Sequence, residues 1–162
     1  MLTNRTYLQL IEAKDFPLLL SMFQEPDTFK YIPKLQNLSI EEYKVFLQSR
    51  LQLVQSSQGY YWAARSLDTN EFIGALNLYP HSTPGVIHLG CQIKRAYWGQ
   101  GYATEIMTAG RDYGIQILGM PKIYAFVDRD NLASVRLLDK LNFSQQAAAK
   151  SDSQTIIYQY SH

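Results

Sequence analysis

The sequence predicts a mixed α/β (α+β) fold: a central sheet of about seven strands with helices on both faces, in the order β-α-α-β-β-β-α-β-α-β-β. Three observations carry this reading. Apolar residues follow a helical period before Ser56, switch to period two between Tyr60 and Ile93, and return to a helical period twice afterwards. The separators in the period-two region, Asp68-Thr69-Asn70 and Pro80 to Gly85, are short enough for hairpins. The stretch from Val86 to Val127 reads strand, helix, strand, which makes its two strands parallel neighbours.

Element by element, Thr6 to Glu12 alternates as an opening strand. Leu19, Met22 and Phe23 then recur at helical spacing after Asp15. Ser39 stands three residues before Glu42, a capping box, with Leu38 and Tyr43 placed as a hydrophobic staple. The helix it starts carries Tyr43, Leu47, Leu51 and Val54 on one face and fades in Ser56-Ser57-Gln58-Gly59. Tyr60 to Arg65, Phe72 to Tyr79 and Val86 to Ile93 form a meander of β-rich runs. Tyr102, Ile106, Ala109, Tyr113 and Ile117 then share a helical stripe that closes near Gly119 and Pro121. Ile123 to Val127 is a buried strand. Asn131 is placed as an N-cap before a helix whose Leu132, Val135, Leu138 and Leu141 line a buried side. Final strands are expected at Asn142 to Ala149 and Thr155 to Tyr160.

Residues 1–162 fit one domain, and 46% apolar content is enough for a continuous core. Fifteen lysines and arginines against 14 aspartates and glutamates leave no global field that would select nucleic acid or an anionic membrane surface. One cysteine cannot form an internal disulfide, and the N-terminus lacks the apolar core of a signal peptide, so a cytoplasmic location is expected. No histidine-cysteine spacing suits a metal. A monomer and a homodimer are both compatible with the composition.

The chemistry concentrates in Ile93 to Thr104, where a strand joins a helix through Trp98-Gly99-Gln100-Gly101-Tyr102-Ala103-Thr104. Free amides in a first helical turn and the positive end of the helix dipole favour a phosphate, and glycine lets the main chain approach it. The segment lacks the Gly-Lys-Ser/Thr ending of a P-loop and the full Gly-x-Gly-x-x-Gly of a dinucleotide fold. Taken alone, the Gly-x-Gly is equally a tight turn that needs positive φ.

Its surroundings resemble the GNAT superfamily of acyl-CoA-dependent N-acetyltransferases, whose central motif reads Arg/Gln-x-x-Gly-x-Gly/Ala between a strand and a helix. Trp98 stands where that motif begins with Arg or Gln. Trp-Gly-x-Gly-Tyr-Ala-Thr-Glu is similar to the ribosomal-protein N-terminal acetyltransferase branch, the RimJ/RimL type. Asn131-Leu132-Ala133-Ser134 and Leu137 to Phe143 resemble the same branch's Asn-x-x-Ser and Leu-x-Lys-x-Gly-Phe. Asn142 replaces the usual glycine, a change that a left-handed helix end tolerates.

The resemblance implies a GNAT-like sheet and an acetyl-CoA-dependent transfer to a primary amine by direct attack, with no metal. It implies that Ile93 backbone pairs with the pantetheine arm, that amides of Trp98, Gly99, Gln100, Gly101, Tyr102, Ala103 and Thr104 hold the pyrophosphate, and that Asn131 and Ser134 reach the pantetheine or thioester end. A plain N-cap role for Asn131 is compatible with that contact. Lys94, Arg95, Arg136 and Lys140 suit either the cofactor's phosphates or a solvated basic face.

The branch's glutamate on the strand before the loop corresponds to His88, which could take the amine proton through a water or serve only as a strand residue. Leu138 occupies the place of the superfamily's tyrosine acid; Tyr79, Tyr97 and Tyr158 are the tyrosines that could reach the site. Cys91, a lone strand cysteine, reads as packing rather than an acyl carrier. Two other classes fit the chain: a silent acyl-CoA-binding module on the same fold, and an interaction domain with an aromatic peptide-binding face. Glu25, Asp27, Glu41 and Glu42 are the local acids that could serve a cationic acceptor.

Overall fold

The computed structural model describes residues 1–147 and 154–161. Its elements are β1 (Thr6–Leu10), α1 (Phe16–Phe23), α2 (Ile40–Gln55), β2 (Tyr60–Ser66), β3 (Phe72–Pro80), β4 (Ile87–Ile93), α3 (Tyr102–Asp112), β5 (Lys122–Asp128), α4 (Leu132–Lys140), β6 (Ser144–Gln145) and β7 (Thr155–Ser161). The strands form one seven-stranded sheet in the order β1-β2-β3-β4-β5-β7-β6. Among the described residues only β4 and β5 run parallel; the other neighbours are antiparallel. This is the element order and mixed sheet that the periodicities predict.

Alternation along the strands sends two sets of side chains to opposite faces. Tyr61, Ala63 and Ala75 pack with Leu19, Met22 and Phe23 of α1 and Tyr43, Leu47 and Leu51 of α2. Leu76, Leu78 and Leu89 pack with Ile106 and Met107 of α3 and Leu138 of α4. The Ser39 capping box forms as read: its hydroxyl accepts from the Glu42 amide, and the Glu42 carboxylate accepts from the Ser39 amide.

The C-terminus of α4 follows its sequence too. Asn142 adopts φ 60°. Its N–H donates to Asp139 and the Phe143 N–H donates to Leu138, both at 3.0 Å, the paired bonds of a Schellman end. Phe143 and Leu138 meet in the core behind it.

Three expectations change. The helix after the glycine-rich join passes into a π turn over Tyr113–Ile117, where the Leu118 N–H reaches the Tyr113 carbonyl at 3.0 Å. The extra residue per turn rotates the apolar stripe, so Gly114 and Ile115 are buried and Ile117 is 70% exposed. Leu132, at the start of α4, is exposed rather than core. The sixth strand is confined to Ser144–Gln145, because Asn142 and Phe143 are used in ending the helix; Ala148 and Ala149 lie outside the described residues. Among the described residues no helix is long and apolar enough to cross a membrane.

Candidate active site

The parallel pair β4 and β5 is where the sheet opens. β3 and β4 stay in register from Gly74 opposite Ile93 to Pro80 opposite Ile87, whereas β4 and β5 are in register only at His88 opposite Tyr124. Beyond that pair the strands diverge, and a cavity of about 880 Å³ lies between them. The Lys94 amide bonds Ile73 of β3, so by antiparallel alternation the peptide groups of Cys91 and Ile93 point away from β3, toward the opening. The Ile93 carbonyl is taken by the Trp98 indole N–H at 2.7 Å. That leaves the Ile93 N–H and both polar groups of Cys91 as the edge available to an amide-bearing ligand.

The glycine-rich join closes one end of the cavity. Gly99 and Gly101 have φ of 72° and 84°, values that disfavour any side chain, as the tight-turn reading requires. Gly101 is the N-cap of α3, and no side chain caps the helix. Its first-turn amides therefore remain donors beside the cavity. Trp98, Gly99, Gly101, Tyr102, Ala103 and Thr104 line it. Gln100 does not: its side chain folds back to donate to the Ala96 carbonyl at 2.8 Å.

Asn131 and Ser134 line the opposite wall. The Asn131 side-chain oxygen caps α4 by accepting from the Ser134 amide at 3.2 Å, which leaves its amide nitrogen as a donor. Arg136 and Lys140 also line the cavity, whereas Lys94 and Arg95 do not. Leu138 is a buried part of the wall, where a hydroxyl would be needed for an acid. Of the three tyrosines named from sequence only Tyr97 lines the cavity, and its hydroxyl meets Glu71 Oε2 at 3.2 Å. Burial, then the bond to Glu71, raises its pKa.

His88 lines the cavity on the α1/α2 side of the sheet. Its ring meets Tyr79 and Phe126 edge-on at 5.4 Å. Burial, reinforced by His81 and Arg50, pushes its pKa down to about 4, so the imidazole is neutral near pH 7. Next to it, a Cβ placed on Gly90 would meet His88 Nε2 at 3.2 Å and Asn77 Oδ1 at 3.4 Å. Two hydrogen-bonding groups thus converge on the bare face of Gly90. Cys91 also lines the cavity, but burial pushes its thiol up to about 12, which removes the thiolate that an acyl-cysteine route needs.

Sequence reasoning missed the segment between α1 and α2 as a wall of the site. Asp27, Thr28, Lys30, Tyr31 and Ile32 line the cavity. The segment is drawn there by the Arg95 amide and guanidinium, which donate to Glu25 at 2.8 Å and to Asp27 at 3.3 Å. Glu41 pairs with Lys44 and Glu42 caps its own helix, and neither lines the cavity.

Residues 5–144 match the model of the acetyltransferase (GNAT) domain. The uncharacterized N-acetyltransferase YoaA of Bacillus subtilis (strain 168) is 29% identical over 150 residues, covering 91% of this chain and 84% of its own. Among solved structures, RimL, the ribosomal L7/L12 α-N-protein acetyltransferase in complex with coenzyme A, superposes with a TM-score of 0.84 at 15% identity over 99% of this chain and 96% of that one. The spermidine N-acetyltransferase of Vibrio cholerae, in complex with CoA and spermine, gives 0.77 at 16% identity over 95% and 92%. With the family model spanning β1 to β5, the glycine-rich join and α4, the chain belongs to the GNAT acetyltransferases and is an N-acetyltransferase.

Proposed function

We propose that the chain transfers the acetyl group of acetyl-CoA to a primary amine, a protein N-terminal α-amine or a small-molecule amine, in a ternary complex of the RimJ/RimL type. The observation that carries this reading is the uncapped start of α3 at left-handed Gly101, opening onto the cavity between the diverging β4 and β5. Amides of Gly99 and of Gly101 to Thr104 hold the pyrophosphate; contrary to the sequence expectation, the Trp98 N–H is taken by the Arg95 carbonyl at 3.1 Å and Gln100 lies outside the cavity. The pantetheine arm, which carries amides, lies against the edge groups of Cys91 and Ile93, with Asn131 and Ser134 facing it.

The amine nitrogen attacks the thioester carbonyl; the C–N bond forms, the C–S bond breaks and the thiolate leaves. His88, neutral at pH 7, accepts a hydrogen bond from the amine or from a water above Gly90 and orients the nitrogen lone pair. A pKa near 4 makes it a weak proton store, so the proton passes to solvent. The thiolate needs no acid beside Leu138, because thiols ionise near 8.5.

Leu138 in the tyrosine's place and the depressed His88 also suit a silent acyl-CoA-binding module, which turnover distinguishes. The first test is calorimetric titration with acetyl-CoA of wild type and Gly101→Val, followed by thiol-release assays with peptide N-termini and with spermidine. Binding lost in the variant and peptide-dependent thiol release are expected. Absence of wild-type binding would overturn the reading; binding without turnover across a broad set of amines would favour the silent module.

A further inference from the structure

The glycine-rich loop is held from outside the cavity by a residue that the motif does not contain. Arg5, just before β1, donates from its backbone N–H to Glu105 Oε1 at 2.8 Å and from Nε to Glu105 Oε2 at 2.8 Å. Its Nη1 donates to the Gln100 carbonyl at 3.1 Å, and its guanidinium stacks over the Tyr102 ring at 4.1 Å. The Thr3 hydroxyl also bonds Glu105. Burial by itself would raise the Glu105 carboxyl, but the bonds from Thr3 and Arg5, with the Arg5 charge, hold it below the usual carboxylate range.

We infer that Arg5 is a positioning residue for the anion-binding loop; the inference rests on the acetyl-CoA reading above. The Gln100–Gly101 peptide turns about ψ of Gln100 and φ of Gly101, and the left-handed glycine that follows it has the broad conformational freedom that would let it rotate. A trans peptide directs its carbonyl and its N–H to opposite sides. With the Gln100 carbonyl fixed on Arg5, the Gly101 N–H is held to the other side. Gly101 lines the cavity and Gln100 does not. The same guanidinium neutralises Glu105, the one carboxylate in the first turn of α3, which would otherwise oppose an anion at that helix end. Arg5 thus sets both the direction of an amide and the local field without entering the cavity.

The test compares acetyl-CoA with S-acetylpantetheine, which lacks the pyrophosphate and nucleotide, using calorimetry for the first and ligand-observed NMR for the second. Arg5→Met keeps the stem over Tyr102 and removes the donors. It is expected to weaken acetyl-CoA about tenfold, the loss of roughly one charge-assisted hydrogen bond, and to change S-acetylpantetheine less than about twofold. The double variant Arg5→Met/Glu105→Gln stays weak if peptide orientation is the larger effect and recovers if charge neutralisation alone matters. Arg5→Lys, which keeps the charge but not the fork that spans Glu105 and Gln100, gives a selective loss of a few-fold and replaces Arg5→Met should that variant not fold. Equal weakening of both ligands, no weakening, or recovery in the double variant overturns the inference. Wild-type protein that binds neither ligand would instead overturn the acetyl-CoA reading.

Discussion

The His88 imidazole is held neutral by burial among Tyr79 and Phe126, and that choice of protonation state is linked to folding. Its folded pKa of about 4 lies below the unfolded 6.5, so the unfolded chain binds the extra proton between those values. The contribution is fully present above pH 6.5 and is lost as the pH falls toward 4. Urea unfolding at pH 7 and pH 4.5 should show wild type losing on the order of 2 kcal/mol more than His88→Gln. Equal losses in the two proteins would mean that the ring is not neutralised by the fold. Asn142 makes a different residue-scale demand, because its φ of 60° excludes most side chains without strain. Asn142→Ala should cost about 1 kcal/mol, while Asn142→Gly should leave stability unchanged or slightly higher; thermal unfolding of the three proteins checks the order.

Between elements, the tie that stands out is Asp15 to Arg65, joining the short turn before α1 to β2 at 2.8 Å with both side chains largely buried. Asp15 also accepts from the Glu12 amide at 2.9 Å, so removing its cation strands a carboxylate that still shapes the turn. Arg65→Met should therefore destabilise by about 3 kcal/mol, measured by chemical denaturation, and Arg65→Lys by less. Neither partner was legible as a pair, since 50 residues and a β-bulge at Ala64/Arg65 separate the signals. What the sequence made legible at this scale was local chemistry: the Ser39/Glu42 box, the Asn131 cap, the Asn142 end and the two glycines of the join each need only residues a few positions apart. The π turn was hidden because it changes hydrogen bonding without changing the apolar period leading into it. The segment lining the cavity between α1 and α2 was hidden for a further reason: its placement comes from Arg95 bonds that span about 70 positions.

At the scale of the whole molecule, the site is a defect in the sheet. Six strand neighbours build one continuous sheet, yet β4 and β5 share a single register pair and then part, so the edge groups of Cys91 and Ile93 face a cavity instead of a strand. Closing such an opening with a ligand adds contacts that the unfolded chain cannot make, which couples binding to global stability. Under the proposed function, acetyl-CoA at 100 times its dissociation constant should stabilise the protein by about 2.7 kcal/mol, a rise in melting midpoint of roughly 5–10 °C for a chain of this size. The protection should also have a place. Amide exchange should slow at Cys91 and Ile93 on β4 and in the first turn of α3, while β1 and β2, remote from the opening, change only with the global term. Gly101→Val should abolish the midpoint shift and the local protection together, because both depend on the direction of the loop amides. A ligand-induced rise that persists in Gly101→Val, with exchange slowed uniformly along the chain, would place the ligand elsewhere and separate the sheet's opening from the function assigned to it.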